Sequence, residues 1–207
     1  MIRQRCVVDL NKAFLNVWGT DEQLKRVLLL TGSPGVGKST VLWRLVGALR
    51  AKGYQVGGMI SREMRSNGTR VGFEVTDLSS GRRGVLADVS MLKGPHVGRY
   101  RVNLEDLDSV GAVSIVNAVE NSNVVVIDEI GPMELFSLAF QDAVRRAVES
   151  LKLVVGVAHW KARSKLIDEV RGRPDAMLYQ VTFENRETLH RLVVEKAIEF
   201  LKPCLPE

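Results

Sequence analysis

The sequence predicts an α/β fold of three layers, a mostly parallel central sheet between helices with an antiparallel hairpin added to it. Three observations predict it. Strand-length apolar runs alternate with segments of helical period along most of the 207 residues. The first run passes into the first helical segment through a glycine-rich loop, TGSPGVGKST at 31–40. An Asn67-Gly68 pair separates two later extended stretches, which is the strongest short-range signal for a hairpin turn.

Taken in order, RVLLLTG at 26–32 reads as a buried strand, and STVLWRLVGALRAKG at 39–53 as the helix after it. Val41, Leu42, Leu45, Val46 and Leu49 recur on one face of that helix, and Gly53 is placed to end it. VGGMIS at 56–61 is the second strand; beyond the Asn67-Gly68 turn, Val71, Phe73 and Val75 alternate as an antiparallel partner requires. Then follow a helix near 105–121, the strand NVVVID, a helix near 136–150, the strand KLVVGVA, a short helix at 164–171, the strand MLYQVTF and a last helix at 186–201. The domain reading is an N-terminal extension over 1–25 and one domain over 26–207. Within the extension Val7, Leu10, Phe14 and Val17 keep helical spacing, which predicts an amphipathic stripe.

Composition excludes several classes of protein. With 45% hydrophobic and 26% charged residues the chain has ordinary globular usage. The longest wholly apolar runs are VLLL at 27–30 and VVVI at 124–127, far below the roughly 20 residues of a membrane helix. The first residues lack a signal-peptide core, so the expected location is the cytoplasm. Cys6 and Cys204 are the only cysteines, and His96, His159 and His190 show no ligand spacing. The net charge of +5 divides unevenly: residues 1–103 carry 17 Lys and Arg against 7 Asp and Glu, residues 104–207 carry 12 against 17. A basic half suits a phosphorylated small molecule; nucleic acid is possible, although no RNA or DNA motif accompanies the charge.

The loop at 31–40 matches GxxxxGK[ST], the Walker A pattern, between a strand and a helix. Gly32, Ser33, Pro34, Gly35, Val36, Gly37, Lys38, Ser39 and Thr40 are therefore the candidate phosphate-binding residues. Successive backbone N–H groups and the helix N-terminus attract a phosphate chain, Lys38 reaches its outer phosphates, and the Ser39 hydroxyl is a ligand for Mg²⁺. In VVVIDEIGPMEL (124–135) four branched apolar residues deliver Asp128 and Glu129 to the C-terminal edge of a central strand, where open α/β sheets bind ligands. Asp128 is the Walker B candidate for the Mg²⁺ shell, and Glu129 the candidate base for a water attacking the γ phosphorus.

Beyond these two motifs, "RVGFEV", "HVGRYRVNLEDLD", "VIDEIGPMELFS", "RGRPD" and "VTFENR" follow one another as in the THEP family of thermophile and cancer-related nucleoside triphosphatases, and the chain resembles that family over roughly 26–200. The resemblance implies a RecA-like sheet and slow Mg²⁺-dependent hydrolysis of several nucleoside triphosphates to diphosphate and phosphate. It also draws attention to Arg99 and Tyr100 as contacts for phosphate or base, and to His159 or Arg163 as γ-phosphate sensors. Asn185 and Arg186, after the last strand, are candidates to embrace the base, Asn185 being equally suited to capping the last helix. One departure is Pro132, where some relatives carry Lys. The expected ligands are nucleoside triphosphates, with no membrane partner and a monomeric state; the alternatives are a small nucleoside or nucleotide kinase, or a nucleotide-switched module binding RNA or protein.

Overall fold

The computed structural model of the protein describes residues 24–202. Nearly all of the expected N-terminal extension, with its amphipathic stripe, and both cysteines lie outside the described residues. The strands are β1 (Val27–Thr31), β2 (Val56–Ser66), β3 (Thr69–Asp77), β4 (Arg83–Asp88), β5 (His96–Val97), β6 (Tyr100–Val102), β7 (Val124–Ile130), β8 (Leu153–Ala158) and β9 (Ala176–Gln180). The helices are α1 (Lys38–Ala51), α2 (104–121), α3 (Leu138–Glu149), α4 (Lys165–Arg171) and α5 (Leu189–Leu201). Helix α2 is continuous in three segments, Leu104–Asp106, a π-helical Leu107–Ala112 and Val113–Asn121.

All nine strands form one sheet in the order β5-β6-β4-β3-β2-β7-β8-β1-β9. Strands β2, β7, β8, β1 and β9 run parallel. Their C-terminal ends therefore share one edge, and the loop after β1 and the end of β7 emerge there with β8 between them. This is the RecA-like arrangement. Strands β3, β4, β6 and β5 extend the sheet by antiparallel pairing, so the addition is larger than the expected hairpin. Arg99 and Tyr100 lie at the β5–β6 turn, with Tyr100 opening β6. Strands of two and three residues are too short to show a period-2 pattern, and β4 carries only a brief apolar run, Val85 to Ala87.

The run VVVI is buried because alternate residues face two different helical layers. Val125 and Ile127 join Val27 and Leu29 against Ile115 of α2, Phe140 and Val144 of α3 and Ile167 of α4. Val124 and Val126 join Leu28 and Leu30 against Leu42 and Leu45 of α1 and Val193 and Ala197 of α5. Fully burying each such side chain contributes roughly 1.5–3 kcal/mol, which holds the parallel strands and the loops at their ends as one rigid frame. Helix α1 stops where the sequence predicts: Gly53 adopts φ 85° and donates its N–H to the Arg50 carbonyl. Among the described residues no helix is long and apolar enough to cross a membrane.

Candidate active site

The loop between β1 and α1 owes its shape to glycine at two points. Gly32 has φ 152°, and a Cβ there would stand 2.6 Å from the Val181 carbonyl oxygen, so the loop after β9 lies directly on the phosphate loop. Gly37 is the N-cap of α1 in the left-handed conformation, φ 109°, and no side chain caps the helix. The first-turn N–H groups are thus left to an anion. Lys38 is half-buried, and its Nζ donates to the carbonyls of Gly32 at 3.2 Å and Ser33 at 3.3 Å, folding back over the loop it serves. Those contacts hold the ammonium over the loop.

Strand β7 follows β8 in register through Ile127↔Gly156, then shifts before Ile130↔Ala158, which releases Asp128 and Glu129 from the ladder. Asp128 is buried at 2% exposure close to the Ser39 hydroxyl, while its Oδ2 has no protein partner. Burial first, then the neighbouring Glu129 carboxylate, pushes Asp128 up to about 7; the Ser39 hydroxyl and the Lys38 charge oppose this. A buried carboxylate oxygen without a partner, beside a hydroxyl, is the donor set that a hard divalent cation completes. Mg²⁺ fits these two oxygens, since it is ordinarily held by one or two carboxylates together with substrate phosphates and water.

Lys38, Ser39, Asp128 and Glu129 line a single cleft of about 300 Å³. Its far wall comes from the β2–β3 hairpin, with Arg62, Glu63, Arg70 and Phe73, and from Met133 and His159 on the other side. The Arg62 guanidinium sits 4.6 Å over the Trp43 ring of α1, which ties the hairpin to the phosphate-loop helix. Pro132 also lines the cleft, so that position contributes shape and no cation.

One lining residue escaped the sequence reading. Glu134 is buried at 4% exposure, and burial together with the Glu129 charge pushes its carboxyl up to about 8. The available signal was an acidic residue between Met133 and Leu135 shortly after the Asp-Glu pair, an uncommon place for a carboxylate.

The remaining candidates divide. His159 reaches the cleft, its Nδ1 accepting the Ala162 N–H at 2.9 Å, so the neutral ring carries its proton on Nε2. Arg163 is exposed and not among the lining residues. Tyr100 stands behind the wall rather than on it: its ring packs edge-on to Phe73 at 5.3 Å and its hydroxyl accepts from Arg70 Nε at 2.8 Å. Arg99 stacks over Tyr100 and donates to the Arg70 carbonyl. Asn185 uses its amide on its own loop, Oδ1 accepting from Thr182 N at 2.9 Å and Nδ2 donating to Gln180 O at 2.8 Å. The N-cap of α5 is Thr188, so the helix-capping reading of Asn185 is corrected. Arg186 lies against the phosphate loop, its Cδ 3.4 Å from where a Gly37 Cβ would stand, with its guanidinium 5.3 Å over the exposed Phe183 ring.

A mixed sheet with this parallel core, β2-β7-β8-β1-β9, and with a glycine loop, a lysine and a hydroxyl near a strand-end carboxylate, defines a nucleotide-binding protein of the phosphate-loop class. Comparison with known proteins narrows the class. The NTPase family matches residues 27–194, and the chain belongs to that family. It is 47% identical to the nucleoside-triphosphatase THEP1 of Thermofilum pendens over 164 residues, 78% of this chain and 89% of that protein. It is 42% identical to the nucleoside-triphosphatase THEP1 of Methanopyrus kandleri over 176 residues, 84% of this chain and 97% of that protein. The solution structure of a human cancer-related nucleoside triphosphatase superposes with a TM-score of 0.71 at 36% identity, covering 82% of this chain and 96% of that one.

Proposed function

We propose that the protein hydrolyses nucleoside triphosphates to nucleoside diphosphate and phosphate, in a Mg²⁺-dependent reaction with broad tolerance of the base. The observation that carries this reading is the cleft lined at once by Lys38, Ser39, Asp128 and Glu129, in a chain that belongs to the NTPase family. Gly32 to Thr40 take the phosphate chain through backbone N–H groups, and Lys38 exchanges its loop carbonyls for the outer phosphate oxygens. Ser39 and Asp128 would hold Mg²⁺, which supplies charge neutralisation on the phosphate oxygens. Glu129 accepts a proton from the attacking water as the new P–O bond forms at the γ phosphorus. The bond to the bridging oxygen breaks, and the nucleoside diphosphate leaves with that electron pair. Electrostatic stabilisation by Lys38 does most of the work that falls to side chains.

Base tolerance is supported by how little hydrogen-bonding capacity the loop after β9 offers. The Asn185 amide serves its own loop, and what stands exposed beside the phosphate loop is Phe183 with Arg186 over it. Flat apolar and cationic surfaces accept any base, because every base has a π-face. The expected result is that kcat/KM for ATP, GTP, CTP and UTP falls within roughly tenfold, about 1.4 kcal/mol. A hundredfold preference for one nucleotide contradicts it.

One observation favours a second reading, phosphoryl transfer to a small hydroxyl-bearing acceptor. Beyond the phosphate loop and the two carboxylates the cleft is also lined by Arg62, Glu63 and Arg70 of the β2–β3 hairpin, charged groups that could hold an acceptor. The carboxylate of Glu129 serves either nucleophile, and only the need for an added acceptor separates the two.

A further inference from the structure

We propose that Glu134 is the positioning residue for Glu129: from behind Gly131 it fixes the turn after β7 and keeps the Glu129 carboxylate turned to the cleft. This rests on the reading of Glu129 as the base. Glu134 opens a 3₁₀ turn, Glu134–Phe136, and is buried, yet it lines the same cleft as Glu129. Its Oε2 lies directly against the Gly131 backbone, 3.1 Å from where a Cβ would stand. The turn is closed from the other side, Leu135 N donating to Gly131 O at 3.1 Å and Ser137 N to Glu134 O at 3.1 Å.

Gly131 is the point on which both carboxylates converge. A Cβ there would meet Glu129 Oε1 at 2.8 Å and Glu134 Oε2 at 3.1 Å. The two side chains thus share the space that glycine leaves open, and with Glu134 filling the inner part Glu129 has only the cleft side to occupy. Truncating Glu134 empties that inner part and opens room for the Glu129 chain to fold inward. A displacement of about 1 Å at a reacting group is worth about 10²-fold in rate.

The test uses the full chain and measures steady-state phosphate release and, separately, the Kd for ADP. Glu134→Ala is expected to lower kcat by roughly 10- to 100-fold with the ADP Kd within about twofold of wild type. Glu134→Gln, which has the same shape and fills the same space, recovers most of that loss. In a Glu129→Gln background Glu134→Ala produces no further fall, because a positioning residue has nothing left to position. The inference is overturned if Glu134→Ala keeps kcat within about twofold of wild type, if its loss appears in the ADP Kd, or if the same factor is lost in the Glu129→Gln background. Should Glu134→Ala not fold, Gly131→Ala is the second variant: its methyl displaces both carboxylates, so kcat falls with ADP binding kept and nothing more is lost on Glu129→Gln. Wild-type kcat in Gly131→Ala overturns the inference. Phosphate release that survives Glu129→Gln contradicts the base assignment itself, a failure distinct from that of Glu134.

Discussion

Glu129→Gln is expected to bind nucleotide as wild type does while phosphate release falls by about 10²–10⁴, the range for removing a general base. The substitution keeps shape and hydrogen-bonding reach and deletes only the ability to take a proton. Glu129 stands at the released end of β7, beside Asp128, and lines the same cleft as Lys38. Because the phosphate loop is formed by other residues, affinity should not change. Equilibrium binding of ATP and single-turnover phosphate release check the two halves separately. Normal turnover in this variant removes Glu129 from the reaction.

Lys38→Ala is expected to damage both steps. Its ammonium is held over the glycine-rich loop by the Gly32 and Ser33 carbonyls. A hydrogen bond from a charged donor contributes about 1.5–3 kcal/mol, so triphosphate affinity should fall by roughly 10- to 150-fold. The charge that develops on the transferred phosphoryl group is also left less compensated, and kcat should fall by about 10²–10³, as when a preorganised donor is lost. Isothermal titration with ATP and steady-state kinetics measure the pair. A variant that binds weakly but turns over normally when saturated would confine Lys38 to binding.

The phosphate loop was legible in the sequence because its function is a backbone property. Glycines at 35 and 37, a strand before and a helix after mark the loop within ten residues, and the packing of Gly32 on the Val181 carbonyl is the part that only the fold reveals. The run at 124–127 was legible for a similar reason: uninterrupted branched residues mean burial on both faces, and a charge after them marks the sheet edge. What escaped depends on distant partners. The cleft wall from Arg62, Arg70 and Phe73 exists only because β3 folds back along β2, and Tyr100 becomes its support only through β6 pairing with β4. Asn185 was ambiguous for a local reason. A side-chain oxygen that caps a helix and one that closes its own loop look alike in sequence, and here the Thr182 N–H captures it three residues before the helix cap at Thr188. Glu134 was hidden because its surroundings are set by the turn after β7, whose geometry no periodicity encodes.

The most direct test of the central claim is phosphate release by the purified wild-type protein from ATP, GTP, CTP and UTP with no added acceptor, with Mg²⁺ and with EDTA in its place. Nucleoside diphosphate and phosphate are expected in equal amounts from all four nucleotides with Mg²⁺, and none above background with EDTA. Phosphate release that persists with EDTA contradicts the roles given to Ser39 and Asp128, and consumption of nucleotide only when an acceptor is added contradicts hydrolysis itself.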